Sequence, residues 1–111
     1  IAQDLTQLAG KVRERSISGD DMKGGSFTIS NQGAIGGAHF TPIINKPESA
    51  ILGVGQSSLQ ASVVNNEILP RLIMPITISY DHRLIDGGEA ARFTVDLKSA
   101  FAELTEKELS L

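Results

Sequence analysis

Residues 76–93 read ITISYDHRLIDGGEAARF, and this stretch contains the clearest change of secondary structure in the chain. Its first part continues an apolar, β-branched run that starts at Ile68, which is typical of a strand. After Gly87 and Gly88 the apolar residues recur at helical spacing and cover one broad side of a helix, which we predict to begin near Glu89. The stretch therefore predicts a strand, a short connection and a helix.

The residues before this stretch predict a further helix and several strands. An amphipathic pattern predicts a helix from residue 1 to about residue 15, and in the connection after it Ser18 and Asp21 have the spacing of a capping box. Strands are predicted at residues 26–30, 50–54 and 59–64. Together these elements indicate an α+β fold with a mixed or antiparallel sheet.

Turn-forming residues divide the strands. Asn65 and Asn66 are the predicted turn of a hairpin. Pro70 and Pro75 fall inside the run 68–80, where two strands or one kinked strand fit equally well. Residues 33–48 are rich in glycine and proline, which predicts a structured loop.

Composition excludes several classes of function. The 111 residues are 41% apolar and 21% charged, as expected of one small globular domain of modest stability. The net charge of -3 is spread along the chain, which disfavours nucleic-acid binding, and the lack of cysteine excludes a disulfide framework or a thiolate nucleophile. With no long apolar run and no leader pattern, we expect a soluble protein. Because no N-cap residue precedes Ile1, we interpret the chain as beginning inside a helix of a larger domain.

His82 is the strongest candidate for a chemical role. It lies where a strand gives way to a turn and a helix, and Asp86 follows four residues later. An imidazole, with an ordinary pKa near 6.5, can accept a proton from a thiol or hydroxyl at neutral pH. On the residues alone, however, a structural or merely exposed histidine is the more frequent case at such a position.

Two other kinds of site are disfavoured. His82 and Asp86 supply at most two metal ligands, and His39 lies in a separate loop, where we expect a surface or packing role. The segment GVGQSS begins at Gly53 but has Ser58 where a G-x-G-x-x-G phosphate loop needs glycine. We interpret its glycines as easing the end of a strand.

Three separated blocks resemble one protein family. The block DHRLIDG, residues 81–87, is similar to the His-x-x-x-Asp-Gly signature shared by dihydrolipoamide acyltransferases and chloramphenicol acetyltransferase, and Asp81 and Arg83 favour the former. The blocks GGSFTISNQG (24–33) and FTPIINKPESAILG (40–53) resemble two further segments of that family. The similarity covers nearly the whole chain, and residues 34–42 look more like the pyruvate (acetyl) type.

The resemblance implies a reaction and roles for particular residues. The reaction is transfer of an acyl group, with acetyl favoured, between a dihydrolipoyl arm and coenzyme A, both acting as substrates without a metal. By the match to the motifs, His82 is the catalytic base and Ser30 the hydroxyl donor to the oxyanion. Asp86 is expected to orient the loop through an ion pair with an arginine upstream of this chain. Gly87 is expected to permit a tight turn beside the histidine.

The resemblance also implies a fold and an assembly. The fold is a chloramphenicol acetyltransferase-like mixed sheet flanked by helices, here incomplete, with residues 1–111 as the C-terminal part of the catalytic domain and no lipoyl or peripheral-subunit-binding domain. A homotrimer with its active-site channel between subunits would build a larger core, with Leu109 and Leu111 as candidate contacts; a disordered tail is equally compatible. Different subunits are expected to contribute the serine and the histidine, so Ser30 and His82 need not meet within one chain.

The expected partners are the decarboxylase and dihydrolipoamide dehydrogenase components of a 2-oxo acid dehydrogenase complex, in a bacterial cytoplasm or a mitochondrial matrix, with no nucleic acid and no membrane. Two alternatives compete with this interpretation. One is a non-catalytic truncated fragment that serves only as a structural or assembly module. The other is a coenzyme A-dependent acetyltransferase acting on a free small molecule.

Overall fold

A computed structural model describes residues 1–104, which form two α-helices and five strands. The helices are α1 (Ala2–Arg13) and α2 (Gly87–Glu103), and the strands are β1 (Thr28–Asn31), β2 (Ala50–Val54), β3 (Ser58–Val64), β4 (Glu67–Ile73) and β5 (Ile76–Tyr80). One 3-10 turn, Gly33–Ile35, lies in the glycine-rich loop. The predicted α+β class is confirmed, and the predicted strands and helices lie close to the observed ones. Leu109 and Leu111 fall outside the described residues.

A three-stranded mixed sheet carries the core. Strand β2 lies in the centre, parallel to β1 and antiparallel to β5. Ala50, Ile51 and Leu52 of β2 are buried, since alternate side chains of a central strand face opposite sides of the sheet and both sides are covered. One side meets α2 through Ala90, and the other meets the loop that carries Phe40. No helix within residues 1–104 is long and apolar enough to cross a membrane.

Two glycines let the loop pack directly on the end of β2. A Cβ built on Gly53 would lie 2.9 Å from the Phe40 ring. At Gly55 the Cβ would lie only 1.7 Å from the carbonyl oxygen of Ala38, closer than any non-bonded contact allows. The glycines therefore serve close backbone packing at a strand end, and the interpretation that they do not form a phosphate loop agrees with this placement.

Strands β3 and β4 form a separate antiparallel hairpin. Its turn residues Asn65 and Asn66 both have left-handed backbone angles (φ 52° and 65°), as a type I′ turn requires, so the predicted turn is confirmed. The run 68–80 is broken around Pro75, which favours two strands over one kinked strand. One face of the hairpin carries exposed apolar side chains: Leu59, Val63, Ile68 and Leu72.

The connection after α1 contains the predicted capping box. Ser18 donates its backbone N–H to the Asp21 carboxylate at 3.1 Å, and the Asp21 N–H donates to the Ser18 hydroxyl at 3.1 Å. Lys11 reaches the same carboxylate from α1 at 3.2 Å. The hydrogen bonds from Ser18, reinforced by Lys11, lower the pKa of Asp21. This group of side chains ties the connection to the end of the helix.

Candidate active site

The turn between β5 and α2 is organised by the main chain of Asp81. Its N–H donates to the carbonyl of Ser49 at 2.8 Å, directly before β2 begins. Its own carbonyl accepts hydrogen bonds from the N–H groups of Leu84 (2.9 Å) and Ile85 (3.0 Å). The turn is therefore fixed to the central strand of the sheet at one point and closed on itself at the next.

The side chain of Asp81 forms an ion pair with Arg83. Oδ1 accepts from the Arg83 backbone N–H (3.0 Å) and from Nε (2.9 Å), and Oδ2 accepts from Nη2 (2.5 Å). These bonds from Arg83 lower the pKa of Asp81 to about 2, and the carboxylate in turn raises the pKa of Arg83. Because a lowered pKa keeps the carboxylate ionised down to lower pH, the pair persists until the pH falls towards 2.

His82 lies between these two partners and is exposed. Its ring packs against Tyr80, with the ring centroids 5.6 Å apart and the planes inclined at 38°. In the part of the chain that the structure describes, the imidazole makes no hydrogen bond. Its position therefore depends on the main chain of the turn and on the Tyr80 ring.

Asp86 is the N-cap of α2. Its carboxylate accepts a hydrogen bond from the N–H of Glu89 (2.8 Å), and the Glu89 carboxylate accepts one from the N–H of Asp86 (3.1 Å), which is a complete capping box. The helix consequently begins at Gly87, two residues earlier than predicted. The Asp-x-x-Glu spacing at residues 86–89 is the feature of the sequence that could have indicated this earlier start. Among residues 1–104, Asp86 makes no ion pair, and Arg83 is engaged by Asp81.

The expectation for Gly87 is corrected by the geometry. Gly87 has no positive φ, and a Cβ built on it would meet only the Tyr80 hydroxyl at 3.9 Å, an ordinary van der Waals contact. It occupies the first turn of α2 and not a tight turn beside His82. A side chain as small as that of alanine therefore has room at this position.

Ser30 and His82 are not brought together within one chain. Ser30, half-buried in β1, is in register with Gly53, which pairs with Thr77 of β5. Tyr80 lies three residues further along β5, about 10 Å along the strand and two strand spacings from Ser30, and His82 follows beyond it. The two predicted site residues therefore lie at opposite ends of the sheet.

The other histidine, His39, makes no side-chain hydrogen bond or ion pair among the described residues 1–104. His39 is exposed in the loop between β1 and β2, as expected of a surface residue. Within residues 1–104, no three side chains of the metal-binding types cluster together.

Comparisons with known proteins agree on one family. The family model for the 2-oxoacid dehydrogenases acyltransferase catalytic domain matches residues 1–108. The dihydrolipoyllysine-residue acetyltransferase component of the pyruvate dehydrogenase complex of Haemophilus influenzae is 47% identical over 104 residues, which are 94% of this chain and 18% of that protein. The corresponding component of Pseudomonas aeruginosa is 46% identical over 104 residues, 94% of this chain and 19% of that protein.

Two solved structures share the fold. The first, determined to study the role of a serine, a histidine and an asparagine in the catalytic mechanism of Azotobacter vinelandii dihydrolipoamide acetyltransferase, is 48% identical with a TM-score of 0.86. The second, the cubic core of a pyruvate dehydrogenase multienzyme complex, is 47% identical with a TM-score of 0.88. Each match covers 92% of this chain and 42% of the solved one.

The mixed sheet backed by α2, with an exposed histidine at the junction between them, is shared with solved acyltransferase catalytic cores. The chain belongs to the 2-oxoacid dehydrogenase acyltransferase (catalytic domain) family. It spans less than half the length of the solved relatives and about a fifth of the curated ones.

Proposed function

We propose that the protein containing this chain transfers an acetyl group between a dihydrolipoyl arm and coenzyme A, as the acetyltransferase component of a pyruvate dehydrogenase complex. Residues 1–111 then form the C-terminal part of its catalytic domain. The observation that carries the proposal is the agreement in spacing of three positions with the Azotobacter enzyme, whose serine, histidine and asparagine were studied for their catalytic role.

The spacing of these three positions is the same in both chains. The histidine of the Azotobacter enzyme follows the serine by 52 positions, as His82 follows Ser30, and the asparagine follows the histidine by four, as Asp86 follows His82. The first two residue types are identical, and the third is an aspartate here. Asparagine and aspartate are both good N-caps, because the side-chain oxygen of each accepts from the first turn of a helix. The exchange therefore fits the capping role of Asp86 better than a role that needs its charge.

In the proposed reaction, two side chains of the protein act on the substrates. His82 removes the proton from the attacking thiol of coenzyme A or dihydrolipoamide, which at neutral pH is mostly protonated. The thiolate attacks the thioester carbonyl, and the Ser30 hydroxyl donates a hydrogen bond to the oxyanion that forms. As the tetrahedral intermediate collapses, the other thiolate leaves and takes the proton back from the imidazolium.

The distance between Ser30 and His82 supports a site formed between subunits. Since one chain holds them at opposite ends of its sheet, each site would take its serine from one protomer and its histidine from a neighbour, as in a homotrimer that builds a larger core. The proposed partners are the decarboxylase and dihydrolipoamide dehydrogenase components. The bacterial origin of the relatives favours a bacterial cytoplasm over a mitochondrial matrix.

Replacing Ser30 with alanine is expected to lower kcat about 10²- to 10³-fold, because a hydroxyl aimed at the developing oxyanion acts only in the transition state. The KM for coenzyme A should change little. The measurement is acetyl transfer from acetyl-CoA to dihydrolipoamide, with Ser26→Ala as the control, a serine on the same segment but before β1. Equal rates for the two variants would remove Ser30 from the mechanism.

The same variant tests whether the site is shared. Inactive Ser30→Ala and His82→Ala chains, unfolded together and refolded, should regain about a quarter of the normal activity, since random assembly pairs an intact serine with an intact histidine at one interface in four. Each variant refolded alone should stay inactive. If the mixture also stays inactive although trimers form, the two residues act within one chain.

Replacing Asp86 with alanine is expected to destabilise the protein by about 1 kcal/mol, because the N-cap bond to Glu89 is lost. Asp86→Asn should stay within a few tenths of a kcal/mol, since the amide oxygen accepts the same bond. Unfolding in urea measures both. Comparable losses in the two variants would show that the charge of Asp86, and not its cap, stabilises this end of α2.

A further inference from the structure

The ion pair of Asp81 and Arg83 brackets His82, and the proposed chemistry gives it no role. The guanidinium and the backbone N–H of Arg83 all bond to one carboxylate, at 2.5–3.0 Å for the closest contacts. Two guanidinium nitrogens on one carboxylate fix an arginine far better than a single ammonium contact fixes a lysine. The residues on both sides of the imidazole are therefore held to each other.

Asp81 also links this pair to the sheet. Its N–H bonds to Ser49 at the start of β2, and its carbonyl closes the turn onto Leu84. The carboxylate is the most sheltered part of the pair, with 21% of the Asp81 side chain exposed against 87% for Arg83. Because the imidazole itself makes no hydrogen bond within residues 1–104, any loosening of this turn moves His82 directly.

The pair also controls the charge beside the base. Asp81 is ionised at neutral pH, with its pKa lowered to about 2 by the hydrogen bonds from Arg83, and the two opposite charges on either side of His82 largely cancel. The other charged side chains lining the adjoining cleft are Lys46 and Glu48 of the loop before β2, again one of each sign. Loss of one partner of the pair would leave an uncompensated charge on a residue directly adjacent to His82 in the chain.

We propose that Asp81, acting through Arg83, is a positioning residue for His82: it holds the turn in one conformation and balances the guanidinium charge next to the base. This inference rests on the proposed function, in which His82 takes the thiol proton. The pair is therefore a functional part of the site and not only a surface ion pair.

The test uses Asp81→Asn, Arg83→Gln and the double variant in the complete protein, with Asp20→Asn as a matched control that breaks the exposed ion pair with Lys23. Asp81→Asn should lower kcat about 10- to 100-fold with KM changed less than about twofold, because a slightly displaced base loses rate and not binding. The double variant should lose no more than Asp81→Asn alone, since both changes remove the same interaction.

The pH dependence separates this role from a merely structural one. A free guanidinium disfavours the imidazolium, so the midpoint of the kcat/KM profile should move to lower pH in Asp81→Asn; a free carboxylate favours it, so the midpoint should move to higher pH in Arg83→Gln. Carbethoxylation of His82 by diethyl pyrocarbonate, followed by the mass of its peptide, should show the same opposite shifts without any substrate. Loss of fold alone would not move the two midpoints in opposite directions.

The proposal is overturned if both single variants match Asp20→Asn in three measurements while His82→Ala is inactive. The three are kcat, the pH midpoint of kcat/KM and the pH midpoint of carbethoxylation. If His82→Ala is as active as the unaltered protein, the proposed function fails instead, and the carbethoxylation midpoints still decide whether the pair sets the charge at His82. Should Asp81→Asn fail to fold, the exposed Arg83→Gln carries the test by the same criteria.

Discussion

Replacing His82 with alanine is expected to lower kcat for acetyl transfer about 10²- to 10⁴-fold, the usual contribution of a general base. The residual rate should rise about tenfold per pH unit up to the pKa of the attacking thiol, because without a base the reaction depends on the thiolate already present. The unaltered protein should be much less sensitive over the same range. Steady-state rates with acetyl-CoA and dihydrolipoamide, taken across neutral and mildly alkaline pH, measure both effects.

His39→Ala is the matched control, since it removes the other histidine of this chain from an exposed loop. It should leave kcat unchanged. Equal activity of His82→Ala and the unaltered protein would contradict the catalytic role and favour the alternative of a purely structural module. Competition between dihydrolipoamide and small free acceptors, measured on the active protein, tests the second alternative.

Replacing Gly55 with alanine is expected to destabilise the protein by about 3 kcal/mol or more, the upper range for a side chain forced into filled space. The new Cβ would lie 1.7 Å from the Ala38 carbonyl oxygen and 2.8 Å from the Pro75 ring. Backbone cannot yield as a flexible side chain can, so the loop must separate from the end of β2. The midpoint of urea unfolding, or failure to accumulate folded protein, measures the loss.

Gly87→Ala is the control for this prediction, because its Cβ would make one ordinary contact at 3.9 Å. Its stability should equal that of the unaltered protein or exceed it by up to about 1 kcal/mol, as a glycine loses more backbone freedom on folding. A Gly55→Ala variant as stable as Gly87→Ala would show that residues 38 and 55 are further apart than the structure places them.

Local signals in the sequence predicted the elements well. The Asn65-Asn66 turn and the strand at residues 50–54 are both confirmed. Asparagine tolerates the left-handed backbone angles of such a turn, and turn-forming residues bound the short apolar run. The start of α2 was placed two residues late, because glycine is a poor helix former and two glycines precede Glu89. The capping bond from Asp86 outweighs that preference. The break near Pro75 remained undecided because proline tolerates both alternatives.

Contacts between residues that are distant in the sequence were harder to predict from it. Motif matching selected Ser30 and His82, and the resemblance implied that different subunits contribute them. The register of β1, β2 and β5, which sets their separation within one chain, is encoded by no local pattern. The ion pair of Asp81 with Arg83 depends on the backbone geometry of one turn, so periodicity could not reveal it. From the sequence, Asp81 and Arg83 served only to favour the dihydrolipoamide acyltransferases over chloramphenicol acetyltransferase.

Because Ser30 and His82 lie at opposite ends of the sheet, the activity should depend on protomer concentration. Under the proposed function, a newly made protomer carries half of two different sites and the whole of none. Activity then rises more steeply than in proportion to protomer concentration until assembly is complete, as mass action requires for any site that exists only in the oligomer. A free protomer would therefore be unable to transfer acetyl groups before it reaches the core.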